Sequence, residues 1–373
     1  MKLIAVSVLC LISSSVASPL SNNSLRAADA CSAEICSGSC VCSSLLSPLP
    51  SEQTPQLITL VYTDAVTDAI YSSYLRGLIE GRKNPDGVQI GATFYVPHEY
   101  TDYGRVNAIY NMGLEIAVHT ISRSSLAEYW QSATLETLVQ EFGGQREILS
   151  KFANIPIEDI VGAKVPNLQM AGNTLFEAYQ QSEIEYDNSW TSRSNARYYP
   201  YTLDYSSSQS CDIGICPDES YPGTWVVPIV DFVGAGDLEC NSIQACGISG
   251  TASEISAWLT KQFDRVYGDN RAPITLVINS GWLASNDANV KGLTQFMDAL
   301  ASYNDVFFVS HRQVVDWMKN PVSASAFKTD VQAKQQQCST RICQLRKGDE
   351  VRYMTSCVPC PSTYPWLGNP LGE

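Results

Sequence analysis

An alternation of apolar strands with helical segments decides the fold, and it begins at Leu57–Tyr62 (LITLVY). Apolar runs of the same kind follow at Ile90–Val96 (IGATFYV), Leu114–Thr120 (LEIAVHT) and Ile160–Lys164 (IVGAK). Segments with helical periodicity, such as Leu135–Phe152, separate these runs. Strands that alternate with helices form parallel βαβ units. The pattern therefore predicts a parallel sheet in a barrel-like α/β fold.

Two stretches depart from this alternation. Residues 188–224 are rich in Ser, Tyr and Gly and are expected to form a long ordered loop inserted in the barrel. Residues 321–373 lack periodicity and are expected to form a tail clasped onto it. The predicted division is a signal peptide at 1–17, a Cys-rich extension at 18–50, the barrel at 51–320 and the Cys-rich tail at 321–373.

The first residues have the features of a secretory signal peptide. Lys2 supplies a positive start, Leu3–Ile12 an apolar stretch and Ser15–Ala17 small residues for cleavage. No later segment reaches the ~18 apolar residues of a membrane-spanning helix. We therefore expect a secreted, extracellular protein with a glycosylation sequon at Asn22, just beyond the cleavage point.

The charge balance argues against a nucleic-acid partner. Lys and Arg total 24, Asp and Glu total 38, the net charge is −14, and no Lys/Arg-rich run occurs. Binding to phosphates needs clustered cations. A neutral or cationic partner fits this composition better. We also expect a monomer.

The cysteines indicate disulfides. Thirteen are present, and Cys10 lies in the signal peptide. The others form three clusters, which are Cys31, Cys36, Cys40 and Cys42, then Cys211, Cys216, Cys240 and Cys246, then Cys338, Cys343, Cys357 and Cys360. In an oxidising compartment we expect the local pairs Cys211–Cys216 and Cys240–Cys246, with the terminal clusters paired within or between themselves. The alternative at the C-x-x-C of Cys357 and Cys360 is a zinc cluster, but that spacing lacks a matched second pair and a nearby His.

Polar residues follow the predicted strands at the points where function usually lies in such barrels. The segments at these points are Thr63–Asp68, Pro97–Tyr100, His119–Arg123, Lys164–Asn167 and Asn279–Leu283. The carboxyl ends of parallel barrel strands carry the active site. We therefore expect these side chains to surround one cavity.

These strand ends and several other segments resemble the insect chitin deacetylases, secreted members of the polysaccharide deacetylase (NodB-homology) superfamily. The likeness covers nearly all of the mature chain and includes Ala92–Tyr103 (ATFYVPHEYTDY), Glu115–Trp130 (EIAVHTISRSSLAEYW) and Cys357–Gly372 (CVPCPSTYPWLGNPLG). The chain is similar to the short, gut-expressed class of this family, which has no chitin-binding module. This similarity implies a gut chitinous matrix as the location. The resemblance implies a distorted (β/α) barrel of the polysaccharide deacetylase type with disulfide-stapled N- and C-terminal extensions.

The resemblance also implies zinc-assisted amide hydrolysis. The family's motifs supply an Asp general base, an Asp and two His that bind zinc, an Arg that holds the base and a His general acid. In this chain the first motif reads Val61-Tyr62-Thr63-Asp64, so that the metal ligand is kept as Asp64 but Thr63 stands at the base position. The second motif reads His119-Thr120-Ile121-Ser122-Arg123, which keeps His119 and places Arg123 at the third ligand position.

The remaining chemical positions are also substituted. Lys164-Val165-Pro166-Asn167 has Lys164 in place of the Arg, and Val277-Ile278-Asn279 has Asn279 in place of the acid His. Loss of a general base costs about 10²–10⁴-fold in rate. A guanidinium has no lone pair for a metal. We therefore expect zinc to be absent or weakly bound, with an Asp64–Arg123 salt bridge in its place.

A sugar-binding groove is the other feature that the resemblance implies. Tyr95, Asn167, Tyr221, Trp225 and Trp282 are expected to line it. For Trp225 and Trp282 the alternative is packing in the core.

The surviving metal-ligand positions also have structural alternatives. Asp64 could instead cap a helix, and His119 could be a satisfied core imidazole. The other two His of the chain, His98 and His311, are expected to be ordinary, partly exposed residues.

Three functions remain open at this stage. The favoured prediction is a secreted chitin deacetylase-like protein that binds chitin or N-acetylglucosamine oligomers but is catalytically impaired. The first alternative is an active zinc-dependent chitin deacetylase with an atypical site, for which Asp68 or His98 would supply a substitute ligand or base. The second is a structural or interaction protein without carbohydrate contact.

Overall fold

The computed structural model describes residues 28–373, so the predicted signal peptide and the sequon at Asn22 lie outside the described residues. The strands are β1 (Gln56–Thr63), β2 (Thr93–Val96), β3 (Glu115–Val118), β4 (Gly162–Ala163), β5 (Met170–Ala171), β6 (Tyr186–Asp187), β7 (Thr191–Ser192), β8 (Tyr201–Leu203), β9 (Gly214–Ile215), β10 (Tyr221–Val226), β11 (Ile229–Val230), β12 (Phe232–Val233), β13 (Glu239–Cys240), β14 (Ile274–Ile278), β15 (Val306–Phe308), β16 (Arg341–Lys347) and β17 (Glu350–Ser356).

The helices lie mainly between these strands. They are α1 (Asp68–Ile70), α2 (Arg76–Ile79), α3 (Tyr103–Asn111), α4 (Ala127–Gln131), α5 (Leu135–Ala153), α6 (Asn173–Gln181), α7 (Ala252–Tyr267), α8 (Ser280–Ser285), α9 (Asp287–Leu300) and α10 (His311–Lys319). A π-helical turn, Tyr71–Leu75, joins α1 to α2. No helix of the described chain is long and apolar enough to cross a bilayer.

The central sheet confirms the predicted α/β class. Its order is β14-β1-β2-β3-β4-β6-β10-β8, with β15 paired to the first half of β1, and only β8 runs antiparallel to its neighbour. All eight residues of β1 are buried, as expected for a parallel strand covered on both faces. Among the described residues the hydrogen-bonded path ends at β14 and β8, so the barrel is distorted. The parallel strands nevertheless bring their carboxyl ends to one side of the sheet.

Residues 188–224 contain more regular structure than the sequence predicted. They include β7, β8, β9 and most of β10, and β10 joins the central sheet beside β6. The strands in this stretch are mostly two or three residues long. Such short strands leave too little alternation of apolar and polar residues to be recognised.

The tail is likewise not wholly irregular, because β16 and β17 form an antiparallel hairpin. Cys343 and Leu345 of β16 are buried, whereas Gln344 between them and Arg346 after them are exposed. This period of two is the signal that the sequence interpretation missed. The hairpin folds back onto α3, the first helix after β2.

Six disulfides confirm the interpretation of the cysteines. Cys211–Cys216 and Cys240–Cys246 are the expected local pairs. The terminal clusters pair within themselves, as Cys31–Cys42, Cys36–Cys40, Cys338–Cys357 and Cys343–Cys360. The zinc alternative at the C-x-x-C is wrong, because its two sulfurs bond to different partners.

Candidate functional site

A cavity of about 460 Å³ lies where the carboxyl ends of β1, β3, β4 and β14 meet. Thr63 is the last residue of β1, and His119, Lys164 and Asn279 directly follow the other three strands. All four line the cavity, together with Arg123 and Asn167. The parallel sheet thus brings together residues that are far apart in sequence, as predicted from their positions at strand ends.

Asp64 forms an ion pair with Arg123, which confirms the predicted salt bridge. Arg123 Nη1 donates to Asp64 Oδ1, and Arg123 Nη2 lies 3.5 Å from the carbonyl oxygen of Thr63. The Asp64 carboxylate also accepts from Ser280 Oγ and, at 3.0 Å, from the backbone N–H of Ala65. The side chain of Asp64 is 18% exposed and that of Arg123 is 40% exposed. This half-open position makes the pair worth about 1 kcal/mol or less, below the cost of removing one partner from a fully buried pair.

Asp64 is not the cap of the following helix. Thr67 caps α1, because its side chain accepts from the backbone N–H of Ile70 at 3.2 Å. The carboxylate of Asp64 is therefore committed to Arg123 and Ser280 rather than to a helix end.

His119 is buried and held in one orientation by a backbone carbonyl. Its Nδ1 lies 2.8 Å from the carbonyl oxygen of Lys164. Since that oxygen can only accept, Nδ1 carries the proton and Nε2 keeps its lone pair. Burial, with a smaller contribution from the charge of Arg123, lowers the pKa of His119 from 6.5 to about 3. The ring is therefore neutral at all ordinary pH values.

The loop that carries His119 and Arg123 is strained and clamped. Thr120 and Arg123 have φ values of 69° and 44°, in the left-handed region that side chains rarely adopt. Glu141 of α5, which is fully buried, accepts from the backbone N–H groups of Ile121 and Ser122, both at 2.9 Å. It also accepts from the hydroxyls of Ser122 and Tyr129. One carboxylate thus holds the turn.

The sequence interpretation did not single out Glu141. Its signal was a charged residue on the buried stripe of a long amphipathic helix, one position before the buried Phe142. A charged residue is rarely buried without specific partners, so that position indicates a structural role.

Lys164 and Asn279 serve the local structure. Lys164 is buried, and its Nζ donates to the carbonyl oxygen of Asn188 at 2.6 Å and to its Oδ1 at 3.1 Å. Burial lowers the pKa of Lys164, and the negative charge of Asp187 partly opposes that shift. Asn279 caps α8, because its Oδ1 accepts from the backbone N–H of Trp282 at 2.8 Å, and its Nδ2 donates to Gln244.

The four aromatic residues expected in the groove are buried and do not line the cavity. Tyr95, Tyr221, Trp225 and Trp282 are between 0% and 4% exposed. The hydroxyl of Tyr95 bonds to His311 Nδ1 at 2.7 Å, inside the barrel. A ring enclosed in this way offers no face to a sugar, so the groove lined by these side chains is not formed in this structure. Packing in the core, the alternative for the two Trp residues, accounts for their positions.

Asn167 is the one predicted substrate-binding residue that lines the cavity. Its φ of 55° places it in the left-handed region, and its Nδ2 donates to the carbonyl oxygen of Ser125 at 3.0 Å. This bond connects the loop after β4 to the loop that carries Arg123.

The remaining histidines are buried rather than partly exposed, so that expectation was wrong. His98 and His311 are each 1% exposed. His98 Nδ1 lies 2.6 Å from the hydroxyl of Tyr103, and its ring packs on Tyr364 of the tail. His311 lies between Tyr95 and Thr275. Both fill structural positions inside the fold, where desolvation keeps them neutral.

Neither substitute candidate for the active-enzyme alternative reaches the cavity. The ring of His98 packs against Tyr364 of the tail, and Asp68 forms an ion pair with Arg105 on the outer surface. Neither residue is among those that line the cavity.

Comparison with known proteins settles the family. No protein-family model matches the chain. Over 368 residues it is 37% identical to chitin deacetylase 8 of Bombyx mori, an alignment that covers 94% of this chain and 95% of that protein. The chain belongs to the insect chitin deacetylase family.

A second chitin deacetylase is a more distant relative. The chain is 31% identical over 348 residues to chitin deacetylase 1 of Bombyx mori, which covers 87% of this chain but 64% of that protein, less than two thirds.

Among solved structures, a family 4 acetyl xylan esterase from Clostridium thermocellum, in complex with a cobalt ion, is 14% identical with a TM-score of 0.41. It covers 75% of this chain and 100% of that chain. A CE4 family pseudoenzyme from Bacillus anthracis is 10% identical with a TM-score of 0.41, covering 73% of this chain and 70% of that one.

The zinc site expected for a chitin deacetylase does not fit the residues present. A catalytic zinc needs three protein ligands, whereas this site offers Asp64 and the Nε2 of His119. The third corner holds a guanidinium, which has no lone pair and repels a cation. In residues 28–373, the only group of three potential metal ligands within reach of one another is Cys31, Cys36 and Cys40, all of which are in disulfides.

Proposed function

We propose that this member of the chitin deacetylase family is a secreted protein that binds chitin or N-acetylglucosamine oligomers and is catalytically impaired. The observation that carries the proposal is the ion pair between Arg123 and Asp64. It occupies one potential metal ligand, Asp64, and places a fixed positive charge beside it.

The other chemical positions support impairment. Thr63 lines the cavity at the base position, but a hydroxyl cannot take a proton from water near neutral pH as a carboxylate does. Asn279, at the acid position, has its amide oxygen and nitrogen committed to the α8 cap and to Gln244. Because no titrating group stands at either position, both proton transfers of amide hydrolysis lack a carrier.

Binding without turnover is supported by the cavity itself. Its size falls within the range of small-molecule sites. Its rim carries hydroxyl and amide side chains suited to sugar hydroxyls, namely Ser124, Ser125, Asn167, Asn241 and Ser242. The relatives' names point to chitin as the polymer concerned.

Secretion is the location that the covalent structure favours. Six disulfides form and persist in oxidising compartments outside the cytosol. We place the protein in the extracellular space, with a gut chitinous matrix as the setting that the family resemblance suggests.

Three measurements on the purified protein test the proposal together. Sedimentation with insoluble chitin measures binding, acetate release from chitin oligomers with added zinc measures turnover, and elemental analysis measures bound metal. We expect sedimentation with chitin, little zinc and little acetate.

The active-enzyme alternative rests on one observation, the orientation of His119. A ring whose Nδ1 donates to a carbonyl and whose Nε2 is free has the arrangement of a metal-binding histidine. Stoichiometric zinc and acetate release from the wild-type protein would establish this alternative. Failure to sediment with chitin would instead favour a protein without carbohydrate contact.

A further inference from the structure

Arg123 presents hydrogen-bond donors to the cavity that the protein does not use. A guanidinium carries five N–H groups. Two of them bond within the described chain, to Asp64 and to the carbonyl oxygen of Thr63, which leaves three. The side chain is 40% exposed and lines the cavity, so these donors can reach a ligand.

The carboxylate beside Arg123 and two nearby oxygen acceptors are already occupied. Asp64 accepts from Arg123, Ala65 and Ser280. The carbonyl oxygen of Lys164 lies against His119 Nδ1, and Asn279 Oδ1 accepts from a backbone N–H. No Asp or Glu is among the described residues that line the cavity. The site therefore offers donors and a positive charge, and the acceptors that remain, among them His119 Nε2, are uncharged.

The guanidinium is also held in place before any ligand arrives. The backbone of Arg123 lies in the left-handed region, and its backbone N–H donates to Thr120 Oγ1 at 3.2 Å. Glu141 accepts from the backbone N–H groups of Ile121 and Ser122, the two residues between Thr120 and Arg123. A donor that is fixed beforehand loses little conformational freedom on binding. This rigidity favours recognition of one group at one point.

We propose that Arg123 is a specificity-determining residue that binds the carbonyl oxygen of an N-acetyl group, so that the cavity selects N-acetylated sugar units over deacetylated ones. The inference rests on the proposed function. An acetamido carbonyl is an acceptor that matches the free N–H groups. A deacetylated unit carries an amino group instead, which in its protonated form has only donors and the same charge as Arg123. Chitin and its deacetylated counterpart share the sugar backbone, so that the acetyl group alone separates them.

The test compares the affinity of the full-length mature protein for two oligomers by calorimetry near neutral pH. The probes are the pentamer of N-acetylglucosamine and the pentamer of glucosamine. We expect the wild type to bind the acetylated pentamer at least about tenfold more tightly, which is ~1.4 kcal/mol. Arg123→Gln should reduce this preference to about threefold or less by weakening the acetylated ligand.

Two further variants keep the result interpretable. Arg123→Lys retains the positive charge but loses the fork of donors, so it should still disfavour the ammonium while binding the acetylated pentamer more weakly than the wild type. Arg105→Gln is the matched control, because the Arg105 side chain is also 40% exposed and also pairs with an aspartate, away from the cavity. It should leave both affinities unchanged, and thermal melts confirm that each variant is folded.

The outcomes separate this inference from the function on which it rests. Equal affinity for the two pentamers, or a preference that survives Arg123→Gln, overturns the inference and leaves chitin binding standing. Binding of neither pentamer removes both. Stoichiometric zinc in the wild type also overturns the inference, because the metal and not Arg123 would then hold the carbonyl.

Discussion

Acid should destabilise this protein through its buried histidines, and the contribution of His98 can be isolated. Its ring is 1% exposed, bonded to the hydroxyl of Tyr103 and packed on Tyr364. Burial, together with the nearby charge of Lys347, lowers the pKa of His98 from 6.5 to about 3. The folded state thus keeps the ring neutral at pH values where the unfolded chain protonates it.

The size of the effect follows from that shift. The contribution of neutral His98 to the free energy of unfolding is complete above about pH 6.5. Below that pH the free energy of unfolding falls by ~1.4 kcal/mol for each pH unit because of this residue. About 2 kcal/mol is lost by pH 5, and the loss is complete near pH 3 at about 5 kcal/mol. His119 has the same lowered pKa and adds a similar loss. The raised pKa of Asp231, about 7, acts in the opposite direction, because that carboxyl gains a proton on folding.

Comparison of the wild type with His98→Asn isolates the effect of His98, because His119 and Asp231 contribute equally to the pH dependence of both proteins. The free energy of unfolding, measured in urea between about pH 5 and 7.5, should fall more steeply with decreasing pH for the wild type. The difference in slope should approach about one proton per molecule near pH 5. Tyr103→Phe is the control, since it removes the hydrogen bond, lowers stability at every pH and leaves His98 buried. Identical pH slopes for wild type and His98→Asn, or a His98 ring that titrates near 6.5 by NMR, would refute the reasoning.

The substituted catalytic positions and the hydrogen bonds of Glu141 to the loop after β3 give two further predictions. Arg123→His alone should raise the amount of bound zinc, measured by elemental analysis, while acetate release stays near background. Adding Thr63→Asp and Asn279→His to this variant should raise acetate release by about 10²-fold or more, because a general base and a general acid each contribute on that scale. Release as fast from the single variant as from the triple would contradict this. Glu141→Gln should lower the free energy of unfolding by ~2 kcal/mol through weaker bonds to the turn and speed hydrogen exchange of the loop amides. Glu147→Gln, the same change at an exposed position of α5, should do neither.

The arrangement of the barrel could be predicted because the apolar strands, the helices between them and the polar residues at the strand ends all indicated the same fold. Leu57–Tyr62 is apolar throughout and becomes the buried strand β1. Residues at the carboxyl ends of such strands, Thr63, His119 and Asn279, then meet at one cavity because parallel strands share an edge. The ion pair of Arg123 with Asp64 could be predicted because the family's motifs place positions 64 and 123 around one point, and an arginine stands there in place of a metal ligand.

What could not be predicted depends on contacts between distant residues. Burial of Trp225 and Trp282 is decided by which side of a strand or helix faces the core, and an aromatic residue is compatible with either a core or a groove. The role of Glu141 needs the loop of Ile121 and Ser122 to lie over α5, which no local pattern reports.

The substituted positions of the site support one another, and this explains why no single reversal should restore hydrolysis. Arg123 neutralises the charge of Asp64, Lys164 is turned to Asn188, and Asn279 holds the start of α8. Thr63→Asp alone would place a second carboxylate beside Asp64 with one guanidinium between them, and two close carboxylates resist ionising together. Repulsion between the two carboxylates makes the pair hold a proton more tightly, which weakens the introduced aspartate as a base. Only a cation at the position of Arg123 that also binds the water would let both carboxylates stay charged, so the metal ligand has to return before the base can work.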